Sequence, residues 1–224
     1  QFVQQIAGGM AGDSLFQDIC DGKEKWNNET HVKAAEEVKK MADAGYFQDG
    51  YIGMGPEEST DLFTNGKSAM YFMGAWDADK IQKSGMGEDA GAFVLPAYDA
   101  QYNNISVGSV DTSFAVSETC KNKDAAVAFL KFWTSQEMEE MLLYENGRIP
   151  ADNFDLDTGK LTPLMAEVLT ISNEQVGLTP WWDRQFGAGE GVEFNNTCVS
   201  VLGGEDAEGA FDGLQQFAED NADR

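Results

Sequence analysis

The stretch DLFTNGKSAMYFMGAW, Asp61 to Trp76, decides how the rest of the chain is read. Asp61 to Thr64 reads as the last turn of a helix closed by Asn65-Gly66, residues that readily take positive φ after a helix. A strand is expected next, over Ser68 to Met73. Ala69, Tyr71 and Met73 would share one face and Met70 and Phe72 the other, so apolar groups point both ways, as in a strand covered on both sides. Gly74 ends it. Trp76 then falls just beyond the carboxyl end of a strand, where open α/β sheets place ligand sites.

Upstream, Phe2, Val3, Ile6 and Ala7 precede the small-residue run AGGMAG, which predicts a helix opening into a loop. Gly8, Gly9 and Gly12 allow close backbone approach, but no phosphate-binding signature accompanies them. Thr30 to Ala44 repeats apolar residues at Val32, Ala35, Val38, Met41 and Ala42 and stops at Gly45, an amphipathic helix. Its charged face reads as a solvated surface with pairs such as Glu36 to Lys40. His31, near its start and without a metal-ligating companion, reads as a surface residue.

Downstream, Ala90 to Pro96 predicts a strand stopped by proline, and Ile105 to Ser117 extended chain interrupted at Gly108, read as a passage from one sheet to another. Asn122 to Trp133 spaces Ala126, Phe129, Leu130 and Trp133 as a core-packed helix capped by Asn122. Thr134-x-x-Glu137 opens a second helix as a capping box, with Met138, Met141 and Leu142 inward and Asn146-Gly147 as its end, completing a hairpin. The acidic run Asp152 to Lys160 fails the EF-hand spacing, since counted from Asn153 the sixth and twelfth positions are Thr158 and Leu164, and reads as a turn. Helices follow over Leu161 to Asn173, around Phe194 to Leu202, and along the stripe Ala207, Ala210, Phe211, Leu214, Phe217 and Ala218. Between them, Thr179 to Arg184 (TPWWDR) sets two adjacent tryptophans beside a carboxylate and a guanidinium. One ring should pack inward while the other stays available.

The 224 residues, 42% hydrophobic, suffice for one large or two small domains. A formal net charge of −24, spread through every segment, argues against nucleic acid and against anionic lipid surfaces, though not against a neutral or cationic ligand. Cys20, Cys120 and Cys198 lie far apart, and His31 is the single histidine, so neither a zinc site nor a disulfide framework is expected. No cofactor motif occurs. No run approaches a membrane span, and the start at Gln1 reads as a processed form or fragment.

Helices alternating with isolated strands indicate an α/β architecture. Its aromatic stations, Trp76 and Trp181/Trp182, suit carbohydrate, whose apolar C–H face stacks on an indole while carboxylates and amides take its hydroxyls. Five motifs in order, LFTNGKSAMYFMGAW, GAFVLP, VGSVDTSFAVS, KNKDAAVAFLKFWTSQEMEEM with ENGRIP, and LGGEDAEGAF, give the chain a nearly end-to-end resemblance. It resembles the family 1 extracellular solute-binding proteins of ATP-driven (ABC) importers, the group that includes maltose-binding protein.

The resemblance implies a type II periplasmic-binding-protein-like fold, α/β in three layers (α/β/α), comprising the second lobe and part of the first. Residues 1–111 and 151–224 would be second-lobe segments, and 112–150 a hairpin returning to a first lobe that otherwise precedes Gln1 and would pack on this chain. It implies a carbohydrate ligand, permease subunits as partners, an extracytoplasmic, periplasmic or lipid-anchored location, and no catalysis. Its ligand residues fall on Trp76, on Gly108, Ser109 and Asp111, and on Trp181 or Trp182 with Asp183 and Arg184. The rival expectation is a glycoside-cleaving enzyme using Glu190 and Glu193.

Overall fold

The computed structural model describes residues 1–108, 113–152, 154–186 and 189–221. Its helices in chain order are α1 (Phe2–Ala11), α2 (Leu15–Cys20), α3 (Glu29–Asp43), α4 (Pro56–Thr64), α5 (Ala78–Gln82), α6 (Lys123–Trp133), α7 (Gln136–Asn146), α8 (Pro163–Asn173), α9 (Trp182–Gln185), α10 (Glu190–Leu202) and α11 (Ala207–Asn221). Two strands, β1 (Ile105–Val107) and β2 (Gly177–Thr179), complete it. The described residues of 1–55, 94–108 and 174–221 form one compact unit, and those of 56–93 and 113–173 another. This division falls elsewhere than the expected limits after 111 and 150.

In the first unit α1, α3, α10 and α11 enclose one aromatic core. Asn28 starts α3 by accepting the His31 backbone N–H on its side-chain oxygen at 3.0 Å, which satisfies one otherwise unpaired donor of the first turn. The helix then buries His31, Ala34, Ala35 and Val38. The expected face was therefore rotated slightly, and His31 is not a surface residue. It has no exposed surface, lies 4.7 Å from Trp182 ring to ring, and stacks on Trp26 and Phe211 at 5.6 Å each. Its Nδ1 donates to the Trp26 carbonyl at 2.8 Å, while its buried Nε2 has no partner among the described residues. On the helix surface the ion pairs are Glu29–Lys33, Glu37–Lys40 and Lys39–Asp43.

The run AGGM does not open α1 into a loop; the helix continues through it to Ala11 and ends at Gly12, whose φ is +89°. The glycine at 9 serves contact instead. A Cβ there would stand 3.2 Å from the Ala97 α-carbon, and the Gly9 carbonyl accepts the Asp99 N–H at 3.1 Å. Bare backbone lets the segment after residue 94 lie directly on the helix.

The sheet is a parallel pair with Ile105 opposite Gly177, Ser106 opposite Leu178 and Val107 opposite Thr179. The expected strands at 68–73 and 90–96 join no ladder among the described residues. Met70, Phe72 and Phe93 are exposed, so the two-sided cover that such apolar strands require is not supplied within the described chain.

The second unit packs Ala78, Leu143, Leu164 and Met165 together from α5, α7 and α8. The α6–α7 hairpin forms, and Gly147 ends it in the left-handed region (φ +66°). However, α6 buries no residue, so its stripe is not core-packed here. The capping box is not formed either. Thr134 closes α6, its hydroxyl donating to the Leu130 carbonyl at 3.0 Å, and α7 starts after Ser135 without a side-chain cap. Leu143, not Met141, turns inward beside Met138.

Burial pushes the His31 pKa down to about 4, only partly countered by its bond to the Trp26 carbonyl. The unfolded chain, with an imidazole near its ordinary value of about 6.5, takes up the proton first as pH falls. Stability present above that value is therefore lost between pH 6.5 and 4, by about 3 kcal/mol from this group. Urea unfolding at pH 7 and pH 5 should show about 2 kcal/mol of this loss, and His31→Phe should reduce it.

Candidate functional site

The two parallel strands end side by side, and the chain leaves their carboxyl ends through Gly108 and through Pro180-Trp181. The Gly108 N–H donates to the Thr179 carbonyl at 2.9 Å, prolonging the ladder by one step. A side chain at 108 would meet Leu178 Cδ1 at 3.0 Å, so glycine keeps this exit narrow. Gln4, almost fully buried on α1, donates its amide to the Pro180 carbonyl at 2.6 Å, and Gln5 donates to the Ile105 carbonyl. These glutamines tie α1 to both strands. Apolar periodicity passes over such residues; the signal for them is an amide at a position facing a helix's apolar side.

The adjacent tryptophans divide as their geometry requires. Trp182 is 1% exposed, packs against Trp26 and Phe194, and donates its indole N–H to Thr179 Oγ1 at 3.3 Å. It is a core residue here and presents no face to a ligand. Trp181 is half-buried at the N-terminus of the short α9, with Asp183 and Arg184 exposed beyond it. Gly108 and Trp181 thus follow closely on the carboxyl ends of one parallel pair, and Asp183 and Arg184 lie on the short helix just beyond. Ser109 and Asp111 lie outside the described residues.

Trp76 belongs to the second unit. It sits in a one-turn 3₁₀ helix, Ala75–Asp77, and is 56% exposed. Exposure of so large an indole, beside a hydrogen-bonded turn, is the arrangement a stacking surface needs.

Glu190 and Glu193 lie on the first turn of α10. Glu190 accepts the Trp26 indole N–H at 3.3 Å, and Glu193 accepts from the Asn196 amide at 3.2 Å. Both carboxylates thus have structural partners on or beside their own helix. Among the described residues no cluster of His, Cys, Asp and Glu is arranged to hold a metal.

The family model described as bacterial extracellular solute-binding protein matches residues 1–140, and the chain belongs to that family. A galactooligosaccharide-binding protein of Bacillus subtilis (strain 168) is 30% identical over 156 residues, covering 67% of this chain and 36% of the relative. Among solved structures, a chitin oligosaccharide binding protein superposes with a TM-score of 0.88 at 20% identity, covering 98% of this chain and 56% of that one. A structure from work on xylan utilisation by the thermophilic bacterium Caldanaerobius polysaccharolyticus gives 0.81 at 24% identity, covering 96% and 57%. A Streptococcus pneumoniae solute-binding protein in complex with the blood group A-trisaccharide gives 0.67 at 16%, covering 98% and 56%.

The α/β fold is thus that of the solute-binding proteins, and the chain spans about a third of the curated relative and little more than half of the solved ones. The family is extracellular, and the named relatives are binding proteins. Among the described residues no helix is long and apolar enough to cross a membrane.

Trp182→Ala should lower stability by about 3–5 kcal/mol through the cavity it leaves, measurable by denaturant unfolding. Trp181→Ala should cost less than about 1.5 kcal/mol in the same assay.

Proposed function

We propose that this chain is part of an extracytoplasmic binding protein that captures a carbohydrate, an oligosaccharide, and delivers it to the permease of an ATP-driven importer. The observation that carries the reading is the exposed Trp76 indole. A broad aromatic face left in water stacks on the apolar face of a sugar ring, and a strongly anionic chain does not repel a neutral ligand. The oligosaccharide named for two of the relatives supports the same class of ligand. Trp181, Asp183 and Arg184 with Gly108 would form a second station, the charged groups accepting and donating hydrogen bonds to hydroxyls. None performs chemistry. Lipid anchoring at the outer face of the membrane is consistent with this role.

A glycoside-cleaving reading finds no support in Glu190 and Glu193, since one holds the Trp26 indole and both occupy a single helical turn. Incubating the protein with oligosaccharides and assaying reducing ends decides between the two: new ends would overturn the binding reading.

The α6–α7 hairpin exposes Phe129 (55%) and Phe132 (53%) with Val127 and Met141. Phe129 and Phe132 are an i,i+3 pair on one side of α6, and large rings exposed together on a helix mark a covered surface. We assign its cover to first-lobe sequence, consistent with solved relatives of nearly twice the matched length.

Trp76→Ala in the full-length protein should weaken oligosaccharide binding at least tenfold, about 1.4 kcal/mol, with little change in melting temperature. Titration calorimetry with galacto-, chito- and xylo-oligosaccharides checks it. Unchanged affinity with a large fall in melting temperature would assign Trp76 to packing. For the hairpin, this chain in isolation should self-associate in sedimentation runs, and Phe129→Ser with Phe132→Ser should return it to monomer.

A further inference from the structure

The residues around Trp76 form a device that the solute-binding reading does not require. Gly74 precedes the turn that carries the indole. A Cβ on Gly74 would stand only 2.2–2.5 Å from three carbons of the Trp76 six-membered ring, so the indole lies directly over the bare Gly74 α-carbon. The Gly74 backbone is ordinary extended chain (φ −83°, ψ 165°), open to any residue. Conformation does not demand glycine here; room for the ring does.

The other side of the turn is tied down as well. The Asp77 N–H donates to the Gly74 carbonyl at 3.2 Å. The Asp77 carboxylate accepts the Tyr71 hydroxyl at 2.6 Å and lies 3.3 Å from the Thr60 hydroxyl. Thr60, buried on α4, is also 2.8 Å from the Tyr71 hydroxyl and donates to the Pro56 carbonyl at 2.8 Å. The Tyr71 ring stacks on Phe63 at 5.7 Å. Burial and the Asp77 carboxylate push the Tyr71 hydroxyl up to about 12, so it keeps its donor proton throughout the working pH range.

We propose that Thr60, Tyr71, Gly74 and Asp77 are positioning residues that hold the Trp76 indole as a fixed platform for the sugar ring. The inference rests on the reading of Trp76 as a stacking surface. Its physical basis is that a ring already held in one orientation does not lose rotamer freedom on binding, whereas a mobile side chain does. A hydrogen bond between a phenol and a carboxylate, half-withdrawn from water, is strong enough to fix the turn. Segment 68–73 joins no strand ladder among the described residues, so this side-chain network holds the turn against α4.

The test uses the full-length protein, the tightest-binding member of a panel of galacto-, chito- and xylo-oligosaccharides, and 5-fluorotryptophan labelling. The Trp76 fluorine line is assigned by its loss in Trp76→Phe. Gly74→Ala should weaken binding about tenfold and Tyr71→Phe about threefold, while both shift and broaden the Trp76 line and leave the other tryptophan lines in place. Asp77→Asn, which keeps an oxygen for the Tyr71 hydroxyl, should stay within about twofold of the parent, whereas Asp77→Ala should resemble Tyr71→Phe. If Trp76→Ala weakens binding but Gly74→Ala and Tyr71→Phe bind like the parent with an unmoved Trp76 line, the positioning role is overturned and the stacking reading stands. If Trp76→Ala itself binds like the parent, the stacking reading falls and the positioning role falls with it.

Discussion

Exclusion of water from a neutral imidazole organises the larger unit. His31 is surrounded by Trp26, Trp182, Phe194 and Phe211, rings contributed by segments that begin and end the chain. Its bond to the Trp26 carbonyl sets the tautomer and fixes the turn before α3. Trp26 is in turn anchored on both C-terminal helices: its backbone N–H donates to the Gln215 amide oxygen at 2.9 Å, and its indole N–H to Glu190. The polar contacts therefore fix which rings meet, while area removed from water supplies most of the free energy. The strand ends and the Trp181 station are seated on this core, because Trp182 is part of both.

The helices were largely legible because a helix is a local object. Gly45, Gly66 and Gly147, chosen as stops from the sequence, all take positive φ. The stripe on α11 buries Ala207, Ala210, Phe211 and Leu214 as its spacing implies. Errors arose where the deciding partner lay far along the chain. A strand exists only against a neighbour, and residues 68–73 and 90–96 have apolar strand patterns without a described neighbour. The face of α3 was misjudged because histidine was counted as polar, whereas one carbonyl and a set of rings make it a core residue.

Sequence reasoning named Trp76 and the TPWWDR segment, and required one of the paired tryptophans to turn inward; local geometry settles that it is Trp182. It could not see Gln4, which acts on a carbonyl 176 positions away. Nor could it see why Gly74 is glycine. Its φ is unremarkable, and the constraint comes from a ring two residues later folding back over its α-carbon. Such constraints are written in side-chain placement, which neither periodicity nor turn chemistry encodes.

The parallel pairing of Ile105 with Gly177 has a consequence for how the chain is made. Closing that ladder joins ends about seventy residues apart, a loop-closure cost of a few kcal/mol in chain entropy before any contact repays it. The helices α6, α7 and α8 all lie inside that loop. During synthesis α1 and α3 emerge well before α10 and α11 and cannot complete their core until those later helices leave the ribosome, so their apolar faces wait uncovered.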